Sequence, residues 1–340
     1  SACIRQIDRL ESRLKAWVYL NSEKALLQAE AIDVKRNQGK AMGMMAGVPI
    51  GIKDIFNTVD FPTSMGSPIW KDFTPGNDAR AVFYLKQADA IILGKTVTAE
   101  FAVHAPGPTL NPHDPTRIPG TSSSGSAVAV AVGMVPCAIG TQTAGSIIRP
   151  ASYCGIYGMK PSFGLIPRTG MLKTTDPLDT VGFFSRNSYD LEILLETMRG
   201  RGLDYPISDG KMSDLRFQDK KNDKWKVAIV ETPVLDHAES YAKEALKDLI
   251  EDLRNDNDME ISYLRLPESF GQAHEIHEMI YDKSISYYFK NEYKEKTLIP
   301  EVYFKEQEKA YRFCEQMQAA GRITGYLDEH YPLSELSTSN

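Results

Sequence analysis

The chain has 340 residues, a quarter of them charged, and a net charge of −6. It has no apolar run of 18 or more residues, so no transmembrane helix is expected, and its dispersed basic residues argue against a nucleic-acid protein. The length permits one large domain or two ordinary ones.

Cys3, Cys137, Cys154 and Cys314 are widely spaced, with no CxxC pair. They read as free thiols of a reducing compartment, which makes the cytoplasm the expected location. The opening stretch, SACIRQIDRLESRLKAWVYL, has neither an initiator Met nor the layout of a signal peptide, so a processed or partial chain is expected.

In chain order, Ile4, Ile7, Leu10, Leu14 and Trp17 recur at helical spacing, and residues 1–40 read as two helices. Asn21 or Ser22 can cap the second, and Gly39 can end it. Residues 48–54 (VPIGIKD) predict a strand, 79–88 a helix and 90–94 (AIILG) a buried strand, an alternation that predicts an α/β core. Residues 104–126, rich in Pro, Gly, Ser and Thr, read as loop. The small residues of 124–132 (SGSAVAVAV) suit a closely packed, buried helix. Residues 136–143 predict a strand and turn, and 188–198 an amphipathic helix with a Ser cap. A polar stretch follows over 201–224. A strand (225–231), a helix (241–253) and a strand (260–266) come next, then helical regions near 270–290 and 303–329.

Three segments invite a chemical reading. Lys53 closes GVPIGIKD among apolar strand residues. It is either an edge lysine with its head in water or a desolvated lysine whose pKa has fallen far enough to act as a base. PGTSSSGS (119–126) leads straight into the small-residue helix. Alone it fits a flexible linker or an anion cradle, but a P-loop ending is missing. GTQTAGSIIRP (140–150) sets Ser146 in a tight turn of small residues. It fits an ordinary turn, or a nucleophile presented beside exposed N–H groups.

Read together, about 140 residues from Gly47 to Arg186 resemble the amidase signature family. The resemblance rests on the GxxxxxKD strand, the GTSSSGSA signature and the GTQTAGSIIRPA turn, with NPHDPTRIPG, CGIYGMKPSFGLIPRTG and LDTVGFFSRN around them. The separations of 69 residues from Lys53 to Ser122 and 24 from Ser122 to Ser146 fit the family pattern.

The resemblance implies an α/β fold with a mixed central sheet flanked by helices on both faces. It implies a Ser–cisSer–Lys triad: Ser146 the nucleophile, Ser122 the bridging serine after a cis peptide bond, and Lys53 the base. The backbone N–H groups of Thr143, Ala144, Gly145 and Ser146 would form the oxyanion hole. Thr141 and Ser123 would support the serines, and Arg149 would be either a structural residue or a clamp for a substrate carboxylate. The expected activity is hydrolysis of a small carboxamide through an acyl-Ser146 intermediate, with no cofactor and no metal. Expected partners are a small-molecule amide and no nucleic acid or membrane, with a homodimer as a further expectation.

The family usually has Gly where this chain has Thr121 and Ala144, so strain is expected at both. Family members also continue beyond this length with further sheet strands. The chain is therefore expected to be one amidase domain over 1–340, with a catalytic core (1–200), a variable helix-rich part lining the substrate pocket (201–340) and a truncated C-terminus.

Two alternatives stand beside hydrolysis. One is an amidotransferase of the A type that releases ammonia from glutamine. Such proteins tend to carry a GGSIRQP-like turn, so AGSIIRP ranks this reading second. The other is an inactive or truncated amidase-like protein. His274 and His277 lack the HExxH spacing of a zinc protease, and no GxSxG elbow accompanies His104 or His113.

Overall fold

The computed structural model describes residues 2–202, 205, 224–232, 234–294 and 312. The chain divides into two compact units: Ser1–Gly210 with Tyr281–Asn340, and Lys211–Ile280. The helical region expected over 303–329, apart from Arg312, lies outside the described residues, as do Cys314 and most of the polar stretch 201–224.

The first unit opens with helix α1 (Ala2–Leu14), which buries Ile7 and Leu14. Trp17, expected on this helix, instead begins a strand, β1 (Trp17–Leu20). The helix stops because Lys15 turns left-handed at φ 52°. The Glu11 carboxylate then accepts the N–H groups of Ala16 (3.0 Å) and Trp17 (2.9 Å). Helix α2 (Ser22–Asn37) is capped by Asn21, whose side chain accepts from the Lys24 N–H at 2.9 Å.

Strand β2 (Pro49–Lys53), helix α3 (Arg80–Gln87) and strand β3 (Ile91–Thr96) follow as the alternation predicts. Helix α4 (Ser124–Ala131) is buried almost throughout. Its tight fit explains its composition, since a Cβ added to Gly125 would lie 2.3 Å from the Ala16 carbonyl oxygen. Strand β4 (Cys137–Gln142) leads through a short turn into helix α5 (Ile148–Cys154). Strand β5 (Tyr157–Met159), strand β6 (Thr180–Ser185) and helix α6 (Ser188–Met198) complete this part. Asn187 caps α6, accepting from the Tyr189 N–H at 2.9 Å, in place of the expected Ser.

The sheet is six-stranded and mixed, in the order β1-β3-β2-β4-β6-β5, with helices on both faces. β2 pairs parallel with both β3 and β4, and β6 pairs antiparallel with β4 and β5. The central strands β3, β4 and β6 are buried along their whole length. That is why they read as continuous small and apolar runs rather than alternating ones. One core cluster joins α1, β1, β3, α4, β4 and α5 through residues such as Trp17, Leu93, Val128, Ala138 and Ile147.

The second unit holds β7 (Trp225–Glu231) and β8 (Met259–Arg265), paired in parallel, with α7 (Ser240–Asn255) as the crossover between them. Helix α8 (Ala273–Tyr288) follows. Its residues from Tyr281 onward belong to the first unit, where Ile285 and the following Phe289 pack with Phe101 and Val103. No described helix is long and apolar enough to cross a membrane.

Candidate active site

Lys53 is the last residue of β2 and has no exposed surface. Its Nζ donates to Ser122 Oγ and, at 3.0 Å, to Thr141 Oγ1 on β4. β2 and β4 are neighbours, so the parallel pairing carries Lys53 and Thr141 to the same end of the sheet. Burial pushes the Lys53 ammonium down to about 7, and the negative charge of Asp179 opposes the shift. A lysine in this state is half neutral near pH 7 and can accept a proton.

Ser122 lies just before α4, on the loop that closes over β4. Gly120, at φ 87°, lets this loop pass close to α5, where an added Cβ would sit 2.5 Å from Pro150 Cα. Ser123 ties the loop to β4, since its hydroxyl donates to the Thr141 carbonyl (3.2 Å) and accepts from the Thr141 N–H (3.4 Å).

The peptide bond expected to be cis before Ser122 is trans, as are all others among the described residues. Trans is the favoured state of a non-proline bond by ~3–4 kcal/mol, and the loop turns instead through left-handed backbone. Ser122 itself has φ 69°. Neither Thr121 nor Ala144 has a positive φ, so the strain expected at those residues falls on Ser122.

Ser146 sits in the turn between β4 and α5 and is half-buried. Its hydroxyl has no hydrogen-bond partner among the described residues. The structure therefore brings Lys53, Ser122 and Thr141 into direct contact, while Ser146 is not hydrogen-bonded to them. The turn reaches the Ser122 loop through Arg149, which donates to Thr121 Oγ1 at 2.8 Å and is otherwise exposed.

The N–H groups of Thr143, Ala144, Gly145 and Ser146 have no acceptor among the described residues. Four consecutive unbonded donors in one turn leave backbone N–H groups available to negative charge. Two residues that the motifs alone do not single out shape this turn. Gln142 Oε1 accepts from the N–H groups of Ile147 (2.9 Å) and Ile148 (3.0 Å), which satisfies the start of α5 and folds the turn back. Asp179 holds the Thr143 hydroxyl at 2.5 Å. Gln142 is visible within GTQT and Asp179 within LDTVGFFSRN, but there each reads as part of a motif rather than as a side chain with partners.

The opposite face of the sheet carries a second buried pair, of which the GxxxxxKD motif shows Asp54 but not its partner. Asp54 and Lys95 are both fully buried, with Lys95 Nζ 3.0 Å from Asp54 Oδ1. Lys95 also donates to Thr63 Oγ1 at 2.7 Å and to the Pro62 carbonyl at 3.0 Å. Ser64 donates to Asp54 from both its hydroxyl and its N–H. The thiols of Cys137 and Cys154 are unpaired, buried and pushed up to about 12 by that burial, which makes them inert.

A family model described as Amidase matches residues 1–325. Among curated proteins the chain is 41% identical over 201 residues to the A-type subunit of the glutamyl-tRNA(Gln) amidotransferase from Natranaerobius thermophilus, a match covering 57% of this chain. The chain thus spans 41% of the length of that relative. Among solved structures it resembles one described as "an unexpected vestigial protein complex" that reveals the evolutionary origins of an s-triazine catabolic enzyme. There the TM-score is 0.80 at 26% identity, over 94% of this chain and 72% of the other. The native peptide amidase from Stenotrophomonas maltophilia matches with a TM-score of 0.73 at 26% identity, over 97% of this chain and 72% of that one. With a family model covering nearly its whole length, the chain belongs to the amidase family, whose members include both amidases and A-type amidotransferases.

Proposed function

We propose that this chain cleaves the C–N bond of a carboxamide and releases ammonia or an amine, through an acyl-Ser146 intermediate. The observation that carries this reading is the place of Lys53: fully buried and bonded to hydroxyls rather than to a carboxylate, so that burial pushes its pKa down to about 7. A structural lysine would be paired with an acid or exposed. A base needs a neutral amine beside a hydroxyl.

In this reading neutral Lys53 takes the Ser122 proton as Ser122 Oγ takes the proton of Ser146. Ser146 Oγ then attacks the amide carbon. The oxyanion forms against the N–H groups of Thr143 to Ser146, each such donor lowering the barrier by roughly 3 kcal/mol. Collapse breaks the C–N bond, and Ser122 passes a proton to the leaving nitrogen while Lys53 replenishes it. Water then releases the acid from Ser146. Thr141 orients Lys53, Ser123 holds the loop, and all these residues lie in the catalytic core over 1–200. The unpaired thiols are in keeping with a cytoplasmic enzyme.

Two substrate readings follow, and their order differs from the one the turn motif suggests. The curated likeness is to A-type amidotransferases, which favours glutamine as the amide. Arg149 fits that reading, because its exposed guanidinium sits beside the turn and glutamine carries a carboxylate for it to clamp. The AGSIIRP turn and the likeness to a peptide amidase favour a stand-alone amidase for other carboxamides.

Ammonia release from glutamine and from a panel of short amides, with and without a carboxylate, separates the two readings. Glutamine leading the panel, with a loss of that preference in Arg149→Met, supports the first. A neutral amide leading, with preference unchanged in Arg149→Met, supports the second. No turnover of any amide and no Ser146 labelling by a fluorophosphonate would leave the inactive alternative standing.

A further inference from the structure

Asp179 is 2% exposed and takes no part in the steps above. It lies one residue before β6. Its Oδ1 accepts from the hydroxyls of Thr143 (2.5 Å) and Thr174 (2.7 Å), and its Oδ2 from the N–H groups of Thr174 (2.8 Å) and Thr175 (3.0 Å). Four donors saturate the carboxylate and leave it no freedom to move. One of the four, Thr143, opens the turn whose N–H groups stand free. The same carboxylate is the charged group whose field acts on Lys53.

We propose that Asp179 is a positioning residue of this site: it pins Thr143 at the head of the anion-binding turn and sets a fixed negative charge against the buried Lys53. The inference rests on the acyl-transfer reading above, and it adds an element to it. Burial alone would drive the Lys53 amine far toward its neutral form, and Asp179 draws it back, so the lysine exchanges its proton near neutral pH. One carboxylate thereby couples the geometry of the oxyanion turn to the readiness of the base.

The other groups around the pair do not supply that charge. On the Lys53 side, Ser122 and Thr141 present neutral hydroxyls. Asp54 is bound to Lys95 on the other face of the sheet. Near Asp179, Lys173 and Asp176 pair with each other at 3.1 Å. Tyr288 of α8 is kept protonated at neutral pH, because burial and then the charge of Asp176 push its phenol up, with Asp179 adding to them.

The test titrates Lys53 directly by NMR, in protein labelled with 13C-lysine, with its signal assigned by comparison with Lys53→Met. The wild-type midpoint is expected near 7. In Asp179→Asn it should fall by roughly one pH unit, because removing an opposing charge favours the neutral amine. Asp179→Glu, which restores the charge, should bring it back. Thr143→Val removes only a hydroxyl, so the midpoint should stay while fluorophosphonate labelling of Ser146 slows roughly tenfold, as loss of one hydrogen bond to a carboxylate implies. An Asp179→Asn midpoint equal to wild type overturns the charge role, and unchanged labelling in Thr143→Val overturns the anchoring role. Should Asp179→Asn not fold, Thr143→Val still decides the anchoring role, and Asp179→Ser, which removes the charge but keeps a polar partner for Thr143, replaces it in the titration. The NMR titration does not depend on turnover, so it stands apart from the acyl-transfer reading, which fails if Lys53→Met still cleaves amides.

Discussion

Lys95 and Lys53 stand near the ends of neighbouring parallel strands, and both are fully buried, yet they meet opposite surroundings. The register pairs Ile52 with Lys95 and Lys53 with Thr96, so the two lysines point to opposite faces of the sheet. On one face Lys95 finds Asp54, the Thr63 hydroxyl and the Pro62 carbonyl. On the other, Thr96 bonds Ser126 of α4 at 2.6 Å, and among the described residues Lys53 bonds the hydroxyls of Ser122 and Thr141. In the proposed mechanism the paired lysine is structural, and the unpaired one, costly to bury, is the base.

Replacing each lysine should give opposite results. Lys53→Met is expected to lower kcat/KM by roughly 10²–10⁴-fold, the range for loss of a general base. The same change should raise stability. Lys53 has a folded pKa lowered from 10.5 to about 7, so between those values the unfolded chain binds the proton more tightly. Stability therefore rises with pH across that window, and at pH 7 the wild type carries a penalty on the order of a few kcal/mol. Denaturant unfolding should show Lys53→Met more stable than wild type at pH 7, with the gain shrinking toward pH 10.

Lys95→Met should do the reverse. It leaves Asp54 buried without its cation, and loss of one partner from a buried pair costs ~3–5 kcal/mol. Urea midpoints should fall sharply while activity per folded molecule stays within a few-fold of wild type. If Lys95→Met abolished turnover without destabilising the protein, the division between the two faces would be wrong.

A smaller effect is expected at the turn. Gln142→Ala removes the acceptor of the Ile147 and Ile148 N–H groups and should cost ~1–3 kcal/mol of stability, as unsatisfied buried groups do. Ser146 labelling should slow with it, because the same bonds fold the turn. The smallest effect belongs to the second unit. Leu264 on β8 is 51% exposed, and Leu264→Ser should change unfolding by no more than about 0.5 kcal/mol.

The sheet and its order of elements are legible wherever periodicity and capping agree. The predicted helix over 79–88 and strand over 225–231 match the observed elements to within a residue at each end. Trp17 departs from its predicted helix because the apolar spacing continues past Leu14 while the helix does not. What ends the helix is the left-handed turn at Lys15, held by the Glu11 carboxylate bonding back to the Ala16 and Trp17 N–H groups, and such contacts have no periodic signature. Helix α5 escapes prediction because it is only seven residues long and is opened by Gln142, a side chain outside the helix.

At the site, the motifs point to Lys53, Ser122 and Thr141, whose contacts link residues 69 and 88 positions apart. The geometry of the peptide bond before Ser122 is not legible, because the loop turns through φ instead. Asp179 and Asp54 stand within the motifs, but the partners that give each its role are not legible. Each acts through partners brought near by strand register, which a linear pattern does not display.

The most direct check is the rate at which a fluorophosphonate labels Ser146, read by mass spectrometry from pH 5 to 9. A neutral Lys53 acting through Ser122 predicts a rate that climbs about tenfold per pH unit in acid, levels off above a midpoint near 7, and collapses in Lys53→Met. A rate that ignores pH, or one that survives in Lys53→Met, would contradict a buried amine as the base.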